Sequence, residues 1–215
     1  MKLYTYFRSS AAYRVRIALN LKGIDYDSEF IHLVKEGGMQ HQELYRKVNP
    51  AGLVPSLETD EGCLSNTLAI IEYLDERFRE PRLLPESIMG RAWVRSLSQS
   101  IACDIHPLNN LRTLQYLKNN LGIDDAGRDS WYAHWITVGF EGLEQQLARS
   151  AHTGDFCFGN TPGLVDCCLI PQVYNAQRFA VDLEPYQQIN RIYANCMELQ
   201  AFIGASPEHQ LDAEC

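Results

Sequence analysis

The chain has 215 residues, of which 46% are hydrophobic, enough for one large domain or two modest ones with a buried core. Nineteen Lys and Arg residues against 27 Asp and Glu residues give a net charge of −8, which argues against a nucleic-acid partner. A small anionic substrate would have to be bound by a few placed arginines, because the overall field of the protein repels it.

The cysteine count and the hydropathy pattern indicate the cellular setting. The seven cysteines are an odd number, and no stretch is typical of a signal peptide or a membrane-spanning helix. We therefore expect a cytoplasmic protein with free thiols and no membrane partner. The adjacent pair Cys167-Cys168 and the pair formed by Cys103 and His106 do not recur with the spacing of metal ligands, so no metal is predicted.

The first eighty residues alternate between strand and helix patterns. Gly23 ends the first predicted helix, and a turn over 58–62 separates the last two predicted strands. Strands are predicted over 3–6, 26–33, a short run ending at Leu57, and 63–64, and helices over 12–22 and 68–74. This order, βαβ followed by ββα, is typical of a thioredoxin-like domain.

Pro81 and Pro85 interrupt this pattern, and no convincing strand follows them. Helical spacing recurs over 91–121, 130–148, 163–176 and 185–202, and the polar residues from Pro207 onward are predicted to be frayed. We therefore predict an α/β thioredoxin-like N-terminal domain over 1–80, a linker over 81–87 and an all-α C-terminal domain over 88–215.

Arg8, Ser9 and Ser10 lie where the first predicted strand passes into the first helix. The free N–H groups and the dipole at a helix N-terminus favour an anion, and they lower the pKa of a thiol placed there. No cysteine lies at this turn, so the thiol would belong to a bound ligand, and this points to glutathione. Ser9 is the first candidate to donate a hydrogen bond to the thiolate, and Ser10 is the second; otherwise Ser9 is a plain N-cap.

The motif Ser9-Ser10-x-x-Tyr13-Arg14-Val15-Arg16-Ile17-Ala18-Leu19 resembles the signature of the zeta class of glutathione transferases. The runs 68–74, 83–85, 171–173 and 178–186 are similar to the same class, so the resemblance covers essentially the whole chain. It implies the glutathione transferase fold, glutathione as cofactor and a homodimer. It also implies cis–trans isomerisation of maleylacetoacetate or maleylpyruvate in the catabolism of tyrosine or related aromatic acids. The alternatives are a transferase that conjugates glutathione to small electrophiles or dehalogenates α-halo acids, and a protein of the same fold that has lost catalysis and serves as a binding or regulatory module.

The resemblance also implies which residues bind glutathione. Val54, before a cis-proline, would pair with the peptide backbone of the ligand, as an added strand does. The remaining contacts would come from Gln40, Asn66, Thr67, His106 and Asn110. The chain departs from the family pattern at Ala11, where cysteine is common in eukaryotic-type members, at Asn66-Thr67, where Gln-Ser is usual, and at His106, where glutamine is common.

Arg8 and Arg178 are the predicted substrate-binding residues, because a planar guanidinium pairs bidentately with a carboxylate and two of them suit a dianion. Arg178 matches the Arg-Phe position of the family, and the pair is expected to face each other across a domain cleft. The alternative for each is a surface ion pair. Arg14 and Arg16 are expected to be structural salt-bridge partners within the first helix.

Overall fold

The computed structural model describes residues 1–214, which divide by their contacts into two compact units. The first unit contains residues 1–83 together with the segment from residue 198 onward, and the second contains residues 84–197. The predicted domain boundaries at 80 and 88 remain a prediction. The units differ from that prediction at the C-terminal end, where residues 198–214 lie with the first unit.

The first unit is built on a four-stranded mixed sheet in the order β2-β1-β3-β4. Its strands are β1 (Lys2–Thr5), β2 (Asp27–Phe30), β3 (Ser56–Glu58) and β4 (Cys63–Ser65). β1 is parallel to β2 and antiparallel to β3, which is antiparallel to β4. The four predicted strands are confirmed in their order, but β2 is shorter than the predicted 26–33 because its partner β1 has only four residues, and the helix over 43–48 that follows it was not predicted.

Three helices complete the chain order of this unit up to the linker: α1 (Ser10–Leu21), α2 (Glu43–Val48) and α3 (Thr67–Arg77). α1 packs against α3, and Leu3, Ile17 and Ile70 are fully buried in the core they share with the sheet. Burial of such side chains is the main favourable term in folding.

Within residues 1–214 Arg16 makes no salt bridge, contrary to the expectation. Arg16 is completely buried, and its guanidinium donates to the carbonyl oxygens of Tyr6, Phe7 and Ala205 and to the Thr5 hydroxyl. These neutral acceptors replace a carboxylate, and burial lowers the pKa of Arg16 to about 10. The spacing within the helix could not reveal these partners, because they lie in a loop and in a distant segment.

The C-terminal segment is ordered, so the prediction of a frayed end from Pro207 is wrong. Helix α9 (Gln200–Ile203) packs on α1, where the Tyr13 hydroxyl donates to the Phe202 carbonyl and the Asn20 amide to the Ala201 carbonyl. Ser206 and Pro207 are buried. Polar composition alone predicted fraying, whereas the hydrogen bonds of Asp212 with the Phe7 N–H and of Glu214 with His32 hold the end of the segment in place.

The second unit contains five helices: α4 (Ile88–Gln99), α5 (Leu111–Asn119), α6 (Asp125–Arg149), α7 (Leu164–Arg178) and α8 (Gln187–Cys196). The helical spacing predicted over 91–121 is found, but not as one α-helix: a π-helical turn at Ser100–Ile105 and a 3-10 turn at His106–Asn109 separate α4 from α5. Pro107 lacks an N–H for the helical ladder, and the Asn110 side chain caps the new helix. No helix within residues 1–214 is long and apolar enough to span a membrane.

Asp166 closes the N-terminus of α7. Its carboxylate accepts the N–H of Gly163 at 2.8 Å and that of Cys157 at 3.0 Å, which is the half of a capping box in which the N3 side chain satisfies the N–H of the N-cap residue. The residue is buried, and burial raises its pKa. It serves the fold of the second unit.

Candidate active site

The loop between β1 and α1 places Ser9 at the N-cap of α1. Its Oγ accepts the N–H of Ala12 at 3.2 Å, and its own N–H donates to the Tyr6 carbonyl at 2.9 Å. A hydroxyl that accepts one hydrogen bond still has its proton to donate. Ser9 is half-buried, whereas Ser10 is buried as the first residue of α1. Capping and donation to a ligand are therefore compatible at Ser9, which is also the more accessible of the two serines.

Arg8 lies on the surface of the same loop. Its guanidinium is 4.9 Å from the centre of the Phe7 ring, and no carboxylate among residues 1–214 forms an ion pair with it. The alternative considered for Arg8, a surface ion pair, is therefore absent from the described part of the chain. A cation next to a helix N-terminus reinforces the preference of this point for an anion.

Val54 lies at the same end of the sheet as this loop. The Tyr4–Ser56 pair is the last between β1 and β3, so the chain before Ser56 runs beside the loop that follows β1. The predicted cis bond between Val54 and Pro55 is confirmed. Among the described residues no backbone group pairs with the N–H or C=O of Val54, which leaves both for an extended peptide.

Asn66 and Thr67 follow β4 at this end of the sheet, where Asn66 is the N-cap of α3 and Thr67 its first residue. Asn66 adopts a positive φ of 74°, and its side-chain oxygen accepts the N–H of Leu68 at 3.3 Å. The Thr67 hydroxyl donates to the Ala11 carbonyl at 3.3 Å, which joins the first turns of α1 and α3. Because that proton is used within the protein, the N-terminal N–H groups of α3 are the better donors for a ligand carboxylate.

Gln40 lies in the segment between β2 and α2, and 5% of its surface is exposed. Its amide nitrogen donates to the Leu33 carbonyl at 3.2 Å, and its side-chain oxygen is buried with no partner among the described residues. Gly38 makes room for this side chain and Gly52 for the Gln40 backbone carbonyl, since a Cβ on either glycine would come within 3 Å of those atoms. The orphaned oxygen is an acceptor that an N–H of a peptide ligand would satisfy.

In the second unit, His106 and Asn110 are neighbours. The His106 Nε2 and the Asn110 Nδ2 lie 3.5 Å apart, and the Asn110 Oδ1 accepts the N–H of Arg112 to cap α5. Both residues are half-buried. Asn109, in contrast, donates to the Tyr132 carbonyl at 3.1 Å and joins its turn to α6.

Arg178 is the last residue of α7 and is exposed. Its guanidinium is 5.4 Å from the centre of the Phe179 ring, which stacks on Tyr132. Within residues 1–214 no carboxylate pairs with Arg178 either. Arg178 therefore resembles Arg8, since the guanidinium of each has no carboxylate partner among residues 1–214.

One contact of the loop was not predicted from the sequence. The N–H of Phe7 donates to the Asp212 carboxylate at 3.0 Å, across 205 positions of sequence. No local pattern links the two residues, since Asp212 lies in the stretch that its composition marks as frayed.

The N-terminus of α1, with Ser9 as its cap, lies at the same end of a thioredoxin-like sheet as the unpaired N–H and C=O of Val54. Residues 3–82 match the family model described as the N-terminal domain of glutathione S-transferase. The chain is 52% identical to a probable maleylacetoacetate isomerase of Vibrio cholerae, over 98% of this chain and 97% of the relative.

Solved structures agree with this match. A holo structure of a maleylpyruvate isomerase, a bacterial zeta-class glutathione S-transferase, is 45% identical with a TM-score of 0.96, each chain covered over 100%. A maleylacetoacetate isomerase of Methylobacterium extorquens AM1 with bound malonate and glutathione is 38% identical with a TM-score of 0.93, again over 100% of both chains. The chain belongs to the zeta class of the glutathione S-transferase family, among the maleylacetoacetate and maleylpyruvate isomerases.

Proposed function

We propose that this protein is a glutathione-dependent cis–trans isomerase of a maleyl-type diacid, maleylacetoacetate or maleylpyruvate. The observation that carries the proposal is the geometry of Ser9, whose Oγ caps α1 and whose hydroxyl proton remains free at a helix N-terminus. The family membership and the isomerase names of the full-length relatives support the same conclusion.

The residues of the first unit fit glutathione. Val54 offers an unpaired N–H and C=O to its peptide backbone, the N-terminus of α3 at Asn66-Thr67 offers N–H groups to a carboxylate, and Gln40 holds an unpaired buried oxygen. We assign His106 and Asn110 as further polar contacts from the second unit. When bound, glutathione supplies a nucleophilic thiol that adds reversibly to the alkene, so that the carbon–carbon bond turns as a single bond.

The chain contributes charge stabilisation and positioning to this chemistry. The Ser9 hydroxyl donates to the sulfur, and the dipole of α1 stabilises its negative charge, with Ser10 as the alternative donor. Arg8 and Arg178 bind the substrate carboxylates and stabilise the negative charge that develops on the substrate oxygen. Ala11 excludes a protein thiol at the position after the two serines.

The test is turnover of maleylacetone or maleylpyruvate, monitored by ultraviolet absorbance with and without glutathione, for the wild type and Ser9→Ala. We expect isomerisation that requires glutathione and falls by at least about a hundredfold in Ser9→Ala, the loss typical of a removed transition-state donor. Turnover that survives Ser9→Ala but not Ser10→Ala would assign the thiolate to Ser10. Absence of isomerisation despite glutathione binding would refute the isomerase.

A matched control separates catalysis from helix capping. Ser87 is the N-cap of α4, and its Oγ accepts the N–H of Gly90 at 3.1 Å, as Ser9 does for Ala12. Ser9→Ala and Ser87→Ala should each lose about 1 kcal/mol of stability. Only Ser9→Ala should lose activity.

We also propose that the protein is a cytoplasmic homodimer that acts in the catabolism of tyrosine or related aromatic acids. The six cysteines within residues 1–214 form no disulfide, which supports a reducing compartment. The homodimer rests on the resemblance to the family. Light scattering after gel filtration should give twice the chain mass of 24.5 kDa.

A further inference from the structure

The peptide groups of Phe7 are bound on both sides by ionic side chains. Its N–H donates to Asp212 Oδ2 at 3.0 Å, and its carbonyl oxygen accepts from Arg16 Nη2 at 3.1 Å. Phe7 immediately precedes Arg8 and Ser9 in the loop between β1 and α1. These two bonds therefore fix the position of the backbone from which both residues extend. Hydrogen bonds to ionised groups are stronger than neutral ones, which makes this a firm attachment.

The segment around Asp212 is itself held in a defined turn. The Gln210 amide donates to the carbonyl oxygens of Gly204 and Ser206 at 3.0 and 2.9 Å, and the Ala213 N–H donates to the Gln210 carbonyl. Ala213 packs against the buried cluster that contains Tyr6, Phe7, Ile31, Tyr45 and Val54. Asp212 therefore lies in a structured segment that places its carboxylate beside the loop.

The second oxygen of Asp212 has no hydrogen-bond partner among the described residues, which indicates that the carboxylate is kept for its contact with Phe7. Asp212 Oδ1 is buried, and no residue among 1–214 donates a hydrogen bond to it. A buried acceptor without a partner costs free energy, so stability alone would favour a smaller or apolar side chain here. The other oxygen, Asp212 Oδ2, accepts the hydrogen bond that the Phe7 N–H donates.

We propose that Asp212 is a positioning residue: by binding the Phe7 N–H, it sets the orientation of Arg8 and Ser9 toward the thiol and the substrate. This inference rests on the proposed function, since it assigns those two residues to catalysis. Asp212 does not touch substrate or glutathione in this assignment, and it acts through the backbone of the loop.

The experiment compares the wild type with Asp212→Ala and Asp212→Asn. The alanine removes the acceptor, whereas the asparagine keeps an oxygen that can accept the same N–H. We measure kcat and KM for isomerisation, and the pKa of the glutathione thiol in the complex from thiolate absorbance. Asp212→Ala should lose about 10- to 100-fold in kcat/KM, mostly in kcat, because small displacements of a catalytic group have effects of this size. The bound thiol pKa should rise, and Asp212→Asn should restore both.

Glu214→Gln is the matched control. Glu214 lies two residues further along the same segment, and its carboxylate pairs with His32 and Lys35 rather than with the loop. Its replacement removes a negative charge from the segment and should change neither the thiol pKa nor kcat/KM. If Asp212→Ala does not fold, Asp212→Glu keeps the charge, moves the carboxylate by one methylene, and should show the same two losses in a folded protein.

The two readouts distinguish failure of this inference from failure of the proposed function. An unchanged thiol pKa and unchanged kcat/KM in Asp212→Ala and Asp212→Glu would overturn the inference while leaving an active isomerase. A wild type that binds glutathione but does not isomerise would refute the proposed function, whereas the thiol pKa of the Asp212 variants would still decide the role of Asp212. Equal losses in Glu214→Gln would also overturn the inference, because they would assign the effect to charge.

Discussion

The Lys22 ammonium lies 2.9 Å from the Asp75 carboxylate, with the Lys22 side chain fully buried and that of Asp75 nearly so. Lys22 also donates to the carbonyl oxygens of Phe78 and Pro81, and Asp75 accepts the N–H of Leu83. The pair thus joins the end of α1 to α3 and to the chain that follows α3. This ion pair organises the end of the first unit through backbone contacts as well as through charge.

Removing one partner of this pair should be costly. Lys22→Met leaves the Asp75 charge buried without its cation, and we expect a loss of about 3–5 kcal/mol in the free energy of unfolding. Lys47→Met, which breaks the exposed Lys47–Glu43 pair at 3.0 Å, should lose less than about 0.5 kcal/mol. Urea unfolding of both variants measures the contrast, and equal losses would contradict it.

The bond from the Thr67 hydroxyl to the Ala11 carbonyl predicts a linked effect on stability and binding. Thr67→Val keeps the shape of the side chain and should lose about 1 kcal/mol of unfolding free energy. Because α3 would be less firmly held at its N-terminus, the KM for glutathione should rise more than kcat falls. Thr137→Val, at a half-buried threonine of α6, is the control, and it should leave that KM unchanged.

The capping carboxylate of α7 predicts a pH dependence of stability. Burial raises the pKa of Asp166 above its ordinary 3.8. The folded state therefore binds more protons than the unfolded state between the two pKa values, and the free energy of unfolding decreases as the pH rises through that interval. Asp166→Asn cannot titrate, so the wild-type stability minus the variant stability should fall with rising pH, by at most about 1.4 kcal/mol per unit.

Urea unfolding of both proteins at a series of pH values above about 4 measures this difference. A difference that increases with pH would mean that the two backbone N–H groups stabilise the charged carboxylate more than burial destabilises it. The pKa of Asp166 would then be lowered, contrary to the expectation.

The local features of the first unit were predictable because each depends on neighbouring residues. Alternation of apolar residues predicted β1, and the Arg-Ser-Ser step predicted the N-terminus of α1 with Ser9 at its cap. The resemblance to the family predicted the cis bond before Pro55, which composition alone would not. Local rules were therefore sufficient for the strand pattern and the helix cap, whereas the cis bond required the resemblance.

Contacts between distant parts of the sequence were not predictable in this way. The carbonyl partners of Arg16 and the Phe7–Asp212 bond depend on how residues 198–214 fold back onto α1. The break between α4 and α5 also depends on packing. Ile105, at the end of the π-helical turn, packs so closely against Gly139 of α6 that a Cβ on this glycine would clash with it. Helical periodicity contains no information on either arrangement.

The exposed guanidinium of Arg178 predicts a specific defect in substrate binding. If it binds a substrate carboxylate, Arg178→Ala should raise the KM for the diacid by about 10- to 100-fold, corresponding to a charged hydrogen bond of about 1.5–3 kcal/mol. The KM for glutathione should change little, and Arg178→Lys should recover part of the loss, since lysine keeps the charge but not the planar fork. Arg149 offers a matched control, because it also ends a helix and donates to a side chain of its own helix, Gln145. Steady-state kinetics that show the same KM increase in Arg149→Ala, or none in Arg178→Ala, would remove Arg178 from the substrate site.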